Sequence, residues 1–291
     1  MEIEKPIFII GVGRSGSTIF HRLMSYHPRC AWLSTRLGNK FPHRPSINRR
    51  MMQFLDYPVV GPFLRGRIDP GECYSFWEHY CTGFSTPCRD LRQDDVTHRN
   101  KNRVRKALSQ LISPKRPRLL LKITGWPRIG FLREIFPDAR FIHIMRDGRA
   151  VANSLINIGF WWGWRGPANW RWGELSPEFQ AEWEKHERSF LALAAIEWKI
   201  LMDSFDKAGA GVSEEQLMTV KYEDLCEDAL GMTRQVCDFC DLDWDSRLEA
   251  RIRKSPMRNT NHKWQSELTD SQQAVLNDVL GEYLRRYAYA S

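Results

Sequence analysis

Short apolar runs closed by glycine, proline or a charged residue alternate along the chain with stretches whose apolar positions recur every three to four residues. Lys5 to Ile10 is an apolar run rich in β-branched residues that ends at Gly11, the pattern of a buried strand in a parallel sheet. A Gly-rich turn over Gly11 to Gly16 leads into Thr18 to Tyr26, where Ile19, Phe20, Leu23 and Met24 stand at helical spacing until His27-Pro28 stops them. The same grammar returns three times: strand Leu119–Ile123 with helix Ile129–Phe136, strand Phe141–Met145 with helix Gly148–Ile158, and strand Leu217–Val220 with a mostly helical stretch from Glu223 to Cys240. One long amphipathic helix is predicted over Phe179–Lys207. A capping box, Thr269-Asp270-Ser271-Gln272, opens a final helix. Strands alternating with helices predict an α/β, P-loop-like three-layer fold, its central parallel sheet flanked by helices.

Between these units, residues 36–95 are irregular and rich in Pro, Gly and aromatics. That is long for a structureless connection, so the segment should be functional or contain short helices. The 291 residues, 42% hydrophobic, are read as one domain over 1–291. A net charge of +8 favours an anionic partner, but the basic residues are spread rather than gathered in a stripe, which argues against nucleic acid. No apolar run is long enough to span a membrane, and the first ten residues do not form a signal peptide. Seven irregularly spaced cysteines fit reduced thiols and a cytoplasmic location. Cys237 and Cys240, the one pair at motif spacing, read as structural.

Gly11-Val12-Gly13-Arg14-Ser15-Gly16-Ser17-Thr18, between a strand and a helix, has the context a phosphate loop requires. Against the Walker pattern, Gly11, Gly16 and Thr18 fit, but Ser17 replaces the lysine. A loop lacking that lysine suits a transferred group less charged than a phosphoryl, and Arg14 can supply a cation. The Arg-Ser-Gly-Ser-Thr run and the following His27-Pro28 resemble the 5′-phosphosulfate loop of sulfotransferases that use 3′-phosphoadenosine 5′-phosphosulfate (PAPS), in their tyrosylprotein and bacterial branches. The resemblance implies that Arg14, Ser15, Gly16, Ser17 and Thr18 bind the donor.

Arg146 ends a strand at the sheet edge where open α/β folds bind ligands. Ser154 lies eight residues on, about two helical turns, so both can return to the same place. Similar enzymes use this spacing to hold the 3′-phosphate of PAPS. Tyr222, in a Tyr-Glu-Asp-Leu run, matches a residue bordering the adenine, and Arg258 or Lys263 matches a basic loop closing over the nucleotide. Lys122 matches a lysine placed near the transferred sulfur. Two familiar bases are absent: Thr124 stands where cytosolic relatives carry histidine, and Cys30 to Thr35 lacks the glutamate of tyrosylprotein relatives. Glu72 is the substitute, with Glu78 and His79 behind it.

Residues 159–172 hold five of the twelve tryptophans and read either as a lid over the acceptor or as packing beneath the long helix. With 36–95, the segment 159–178 forms the expected acceptor side. The resemblance implies a metal-independent enzyme passing a sulfuryl group in line from PAPS to a hydroxyl or amine of a small-molecule or glycan acceptor, releasing PAP. Two rivals are a P-loop kinase, which needs a Walker lysine and a magnesium-binding carboxylate such as Asp147, and a non-catalytic nucleotide-binding protein. The acceptor and the oligomeric state are not legible.

Overall fold

The computed structural model describes residues 1–291 apart from 58, 66, 86–87, 256 and 290–291. The alternating runs become β1 (Ile7–Gly11), α1 (Ser17–Met24), β2 (Cys30–Ala31), then α2 (Thr35–Lys40), α3 (Ser46–Leu55), α4 (Val60–Arg65), α5 (Tyr74–Tyr80) and α6 (His98–Leu108). Next come β3 (Arg118–Thr124), α7 (Ile129–Ile135), β4 (Arg140–Met145), α8 (Gly148–Ile156), α9 (Pro177–Lys185) and α10 (Phe190–Gly209). The chain closes with β5 (Leu217–Lys221), α11 (Tyr222–Glu227), α12 (Ala229–Phe239), α13 (Ser246–Lys254), α14 (Lys263–Glu267) and α15 (Asp270–Arg286). The irregular stretch 36–95 thus carries short helices. Among the described residues, no helix is long and apolar enough to cross a membrane.

The strands pair in parallel in the order β2-β3-β1-β4-β5. Successive strand residues face opposite sides of the sheet, so one parity builds each layer. Phe8, Ile10, Leu119, Leu121, Ile123 and Phe141 pack with side chains of α7, α8 and α10, while Ile7, Ile9, Leu120, Ile142 and Ile144 pack with α1, α12 and α13. Burial on both faces explains why β1 and β4 read as continuous apolar runs. The chain leaves β3 on one side of β1 and re-enters as β4 on the other. The loop following β1 therefore opens at the topological switch point, where the crevice of such sheets lies.

The long helix predicted over Phe179–Lys207 is two helices. Glu187 and Arg188 adopt left-handed φ angles of 53° and 55°, ending α9. The Ser189 hydroxyl then accepts the Ala192 N–H at 3.3 Å and starts α10 afresh. Apolar periodicity continues across the break, which is why the pattern missed it. Phe8 lies fully buried between Phe141 (5.6 Å) and Phe136 (6.0 Å), so Phe8→Ala should cost about 3–5 kcal/mol in urea unfolding. Phe54→Ala, at an exposed position, should stay within about 0.5 kcal/mol. Equal effects would show that this face of the sheet is not the packed core.

Candidate active site

The loop between β1 and α1 is held by close backbone approaches. A Cβ on Gly11 would meet the Ile144 carbonyl oxygen at 2.5 Å, and one on Gly16 (φ 91°) would meet the Tyr222 ring at 2.3 Å. Arg14 takes a left-handed φ of 69°, which swings its side chain out so that Nε donates to Ser154 Oγ at 2.9 Å. Ser15 and Ser17 are buried, whereas Thr18 is exposed on the first turn of α1. The first N–H groups of a helix lack intrahelical acceptors, so this end favours an anion.

Arg146 extends from the end of β4 beneath the same loop. Its Nη1 donates to the Arg14 carbonyl at 3.0 Å, Nε to Asn261 Oδ1 at 2.8 Å and Nη2 to Thr260 Oγ1 at 3.0 Å. The guanidinium lies 4.5 Å from the centroid of the Tyr222 ring. Arg14, Arg146, Asn153, Ser154, Thr260 and Lys263 line one cavity of about 550 Å³, within the size range of small-ligand sites. Arg146 and Ser154 therefore converge, as their spacing of eight required. Tyr222 is not among the lining residues; it is buried between the loop and Arg146, and its hydroxyl donates to the Arg258 carbonyl at 2.6 Å. Of the two basic candidates in that region, Lys263 reaches the cavity, and the exposed Arg258 does not line it.

A second cluster sits beside the loop. Period-two alternation places Leu120, Lys122 and Thr124 on the face of β3 that looks toward α1. Lys122 Nζ donates to Thr18 Oγ1 at 2.6 Å and pairs with Glu72 Oε1 at 2.6 Å, while Thr124 Oγ1 donates to Glu72 Oε2 at 3.0 Å. Tyr74 buttresses the group by donating its hydroxyl to the Thr124 carbonyl at 2.6 Å. Glu78 is engaged elsewhere, accepting the N–H groups of Gly83 and Ser85. His21 lies buried near Lys122, its ring nitrogen 3.4 Å from the Leu120 carbonyl; burial and then the Lys122 charge depress it to about 3, so it stays neutral.

Asp147, the carboxylate a kinase would need, instead caps α8 through the Arg149 N–H and holds the Arg149 guanidinium at 2.8 Å. Among the described residues, no group of three or more His, Cys, Asp or Glu side chains is arranged to hold a metal ion. Cys237 and Cys240 are buried free thiols, with Cys237 pushed up to about 12 chiefly by burial.

The tryptophan-rich segment is divided between core and surface. Trp161 and Trp170 are buried, while Trp162 and Trp164 are exposed. Trp172 leans over Gly125, the residue after Thr124, at 3.0 Å from where a Cβ would stand, and meets Trp126 edge-on at 5.5 Å. The Cys88 N–H donates to the Arg171 carbonyl at 2.9 Å, so the two segments expected on the acceptor side touch each other. Sequence reasoning missed the anchor of this arrangement. Glu197, buried in α10, accepts the Trp161 indole N–H at 2.8 Å. Its only sequence signal is a lone acid within the apolar run Leu191 to Met202.

This geometry, an α/β sheet with a lysine-free phosphate loop and paired cations at its switch point, is that of a nucleotide-dependent group transferase. The profile described as "Sulfotransferase family" matches residues 6–246, and the chain belongs to that family. It is 26% identical over 311 residues, covering 98% of this chain and 76% of the relative, to the omega-hydroxy-beta-dihydromenaquinone-9 sulfotransferase Stf3 of Mycobacterium tuberculosis. Its fold is similar to that of sulfotransferase STF9 from Mycobacterium avium (TM-score 0.57, 19% identity, 98% of this chain and 77% of that one). The sulfotransferase domain from the curacin biosynthetic pathway is also similar (TM-score 0.55, 12% identity, 97% and 98%). The protein is a sulfotransferase.

Burial pushes the Glu197 carboxyl up to about 7, against the Trp161 and Trp172 indoles and Arg171, which favour its ionised form. Between about pH 4.5 and 7 the folded protein holds a proton there that the unfolded chain has released, so stability falls as pH rises through that window. The displacement from 4.5 to about 7 corresponds to roughly 3 kcal/mol. Relative to wild type, Glu197→Gln should therefore gain up to that amount between pH 4.5 and 8 in urea unfolding. A difference that does not change with pH would mean that Glu197 does not titrate in this window.

Proposed function

We propose that PAPS lies across the switch point with its 3′-phosphate between Arg146 and Ser154 and its 5′-phosphosulfate on the loop Gly11–Thr18. Lys263, which lines the cavity, takes the closing role that sequence reasoning gave to Arg258 or Lys263. Tyr222 supports the loop and the Arg146 guanidinium from below, which orients the cation toward the phosphate. Residues 36–95 and 159–178 form the acceptor side of one domain spanning 1–291.

The observation that carries the chemistry is the chain Thr18–Lys122–Glu72–Thr124, which joins the start of the phosphate loop's helix to a carboxylate. Glu72 takes the proton of the acceptor hydroxyl, and the hydroxyl oxygen attacks sulfur in line. The bond from sulfur to the 5′-phosphate oxygen breaks, and PAP leaves with the electron pair. Charge growing on that bridging oxygen is met by Arg14, Thr18 and the loop amides, and Lys122 meets the sulfuryl oxygens. Lys122 exchanges Glu72 for the sulfuryl group when the donor binds, which frees the carboxylate for the acceptor.

The acceptor is a small molecule with a hydroxyl on an apolar body. Tyr74, Trp126 and Trp172 stand around Thr124 as aromatic walls suited to such a body. The mycobacterial relative, named for a hydroxylated dihydromenaquinone, belongs to the same chemical class.

The test joins thermal melting to turnover. PAP without magnesium should raise the melting temperature clearly, by a free energy of about 2.7 kcal/mol at one hundred times its dissociation constant, and ADP by much less. Glu72→Gln should keep the PAP shift yet lower PAP release with ω-hydroxylated menaquinones by about 10²–10⁴. Turnover within threefold of wild type would remove Glu72 as the base. Stronger stabilisation by ADP than by PAP would remove the 3′-phosphate site.

A further inference from the structure

From Phe160 to Trp164 exposure alternates. Phe160 (69%), Trp162 (38%) and Trp164 (57%) face solvent, while Trp161 and Gly163 face inward. The inward residues explain the fold of the segment, since Trp161 is tied to Glu197. The outward rings pack no core, and Phe190 (52% exposed) joins them through an edge contact with Trp161 at 6.2 Å. Two cations are interleaved with these rings. The Arg165 guanidinium lies 4.2 Å from the centroid of Trp162 and 5.0 Å from that of Trp164, and Arg171 lies 4.7 Å from Trp162. Residues 159–173 contain no carboxylate, and neither arginine is in an ion pair among the described residues.

We propose that this aromatic and arginine face docks onto an anionic lipid bilayer, laying Phe160, Trp162 and Trp164 in the interfacial layer with Arg165 and Arg171 on headgroup phosphates. Three features favour a bilayer over a protein partner. Indole rings prefer the headgroup level, where their apolar body and N–H are both satisfied. Guanidiniums placed over indole rings, and in no ion pair among the described residues, offer their N–H groups to phosphate oxygens. Residues 159–173 themselves carry no carboxylate, so the segment presents no charge that an anionic headgroup layer would repel.

The segment is also anchored rather than loose, because Trp161 rests on Glu197 and Trp172 on Gly125. This surface stands independently of the acceptor reading, since it rests only on exposure and charge.

Vesicle sedimentation of the full chain tests it. Binding to phosphatidylglycerol-containing vesicles should exceed binding to pure phosphatidylcholine by tenfold or more and weaken with added salt, because exposed cations are screened. Phe160→Ser with Trp164→Ser keeps the net charge, so general electrostatic attraction is unchanged. That double variant should lose at least tenfold of the binding while its PAP-induced melting shift stays intact. Three results overturn the proposal: no sedimentation with either vesicle, undiminished binding by the double variant, or loss of binding only when Phe54 and Tyr57, at the other exposed aromatic stretch, are changed to serine. A self-association in ultracentrifugation that the double variant abolishes, without vesicle binding, would give the face to a second copy of the chain and also overturn it.

Discussion

A buried ammonium cannot stay unpaired, and the arrangement of this site follows from where Lys122 finds its partners. Its side chain is 5% exposed at the end of β3, and one partner, Thr18, belongs to the helix that the phosphate loop opens. The other, Glu72, belongs to a segment fifty residues earlier in the chain. Leaving either charge alone in such a place would cost several kcal/mol, so the loop bearing Glu72 is drawn onto the sheet edge. Thr124 and Tyr74 complete the group, which makes the loop after β1, the end of β3 and the segment bearing Glu72 one connected network.

Arg146 plays the matching part across β1. It binds the Arg14 carbonyl, lies against Tyr222 and reaches Thr260 and Asn261, so one cation spans the phosphate loop, the start of α11 and the stretch before α14. Burial pushes its guanidinium down from the ordinary value, while Tyr222 and Glu223 act in the opposite sense. Arg14 bonds directly to Ser154, which brings the loop to the helix that follows β4. The two ends of the proposed donor site are thus already in contact through side chains.

What could be read from the sequence was local in origin. The strands announced themselves because burial on both faces forces continuous apolar runs, and the phosphate loop because its glycines sit where Ile144 and Tyr222 crowd the backbone. The convergence of Arg146 and Ser154 was legible because helical geometry alone returns a residue two turns later to the same end. Pairings over long sequence separations were not. Nothing near Glu72 in the chain announces Lys122, and nothing near Glu197 announces Trp161, since both contacts arise only once the sheet and α10 are assembled. The break between α9 and α10 escaped for another reason: a serine cap and two left-handed residues leave apolar periodicity undisturbed. The choice between Arg258 and Lys263 likewise depended on the path of the chain before α14.

Phosphorus NMR of bound PAP observes directly the 3′-phosphate that Arg146 and Ser154 are proposed to hold. A free phosphate monoester takes up its last proton near pH 6, and a guanidinium in contact favours the dianion. In the wild-type complex the 3′-phosphate should titrate at least one pH unit lower than in free PAP, and in Arg146→Ala it should return toward the free value while the 5′-phosphate keeps its bound behaviour. A bound 3′-phosphate that titrates as it does in free solution would contradict the account.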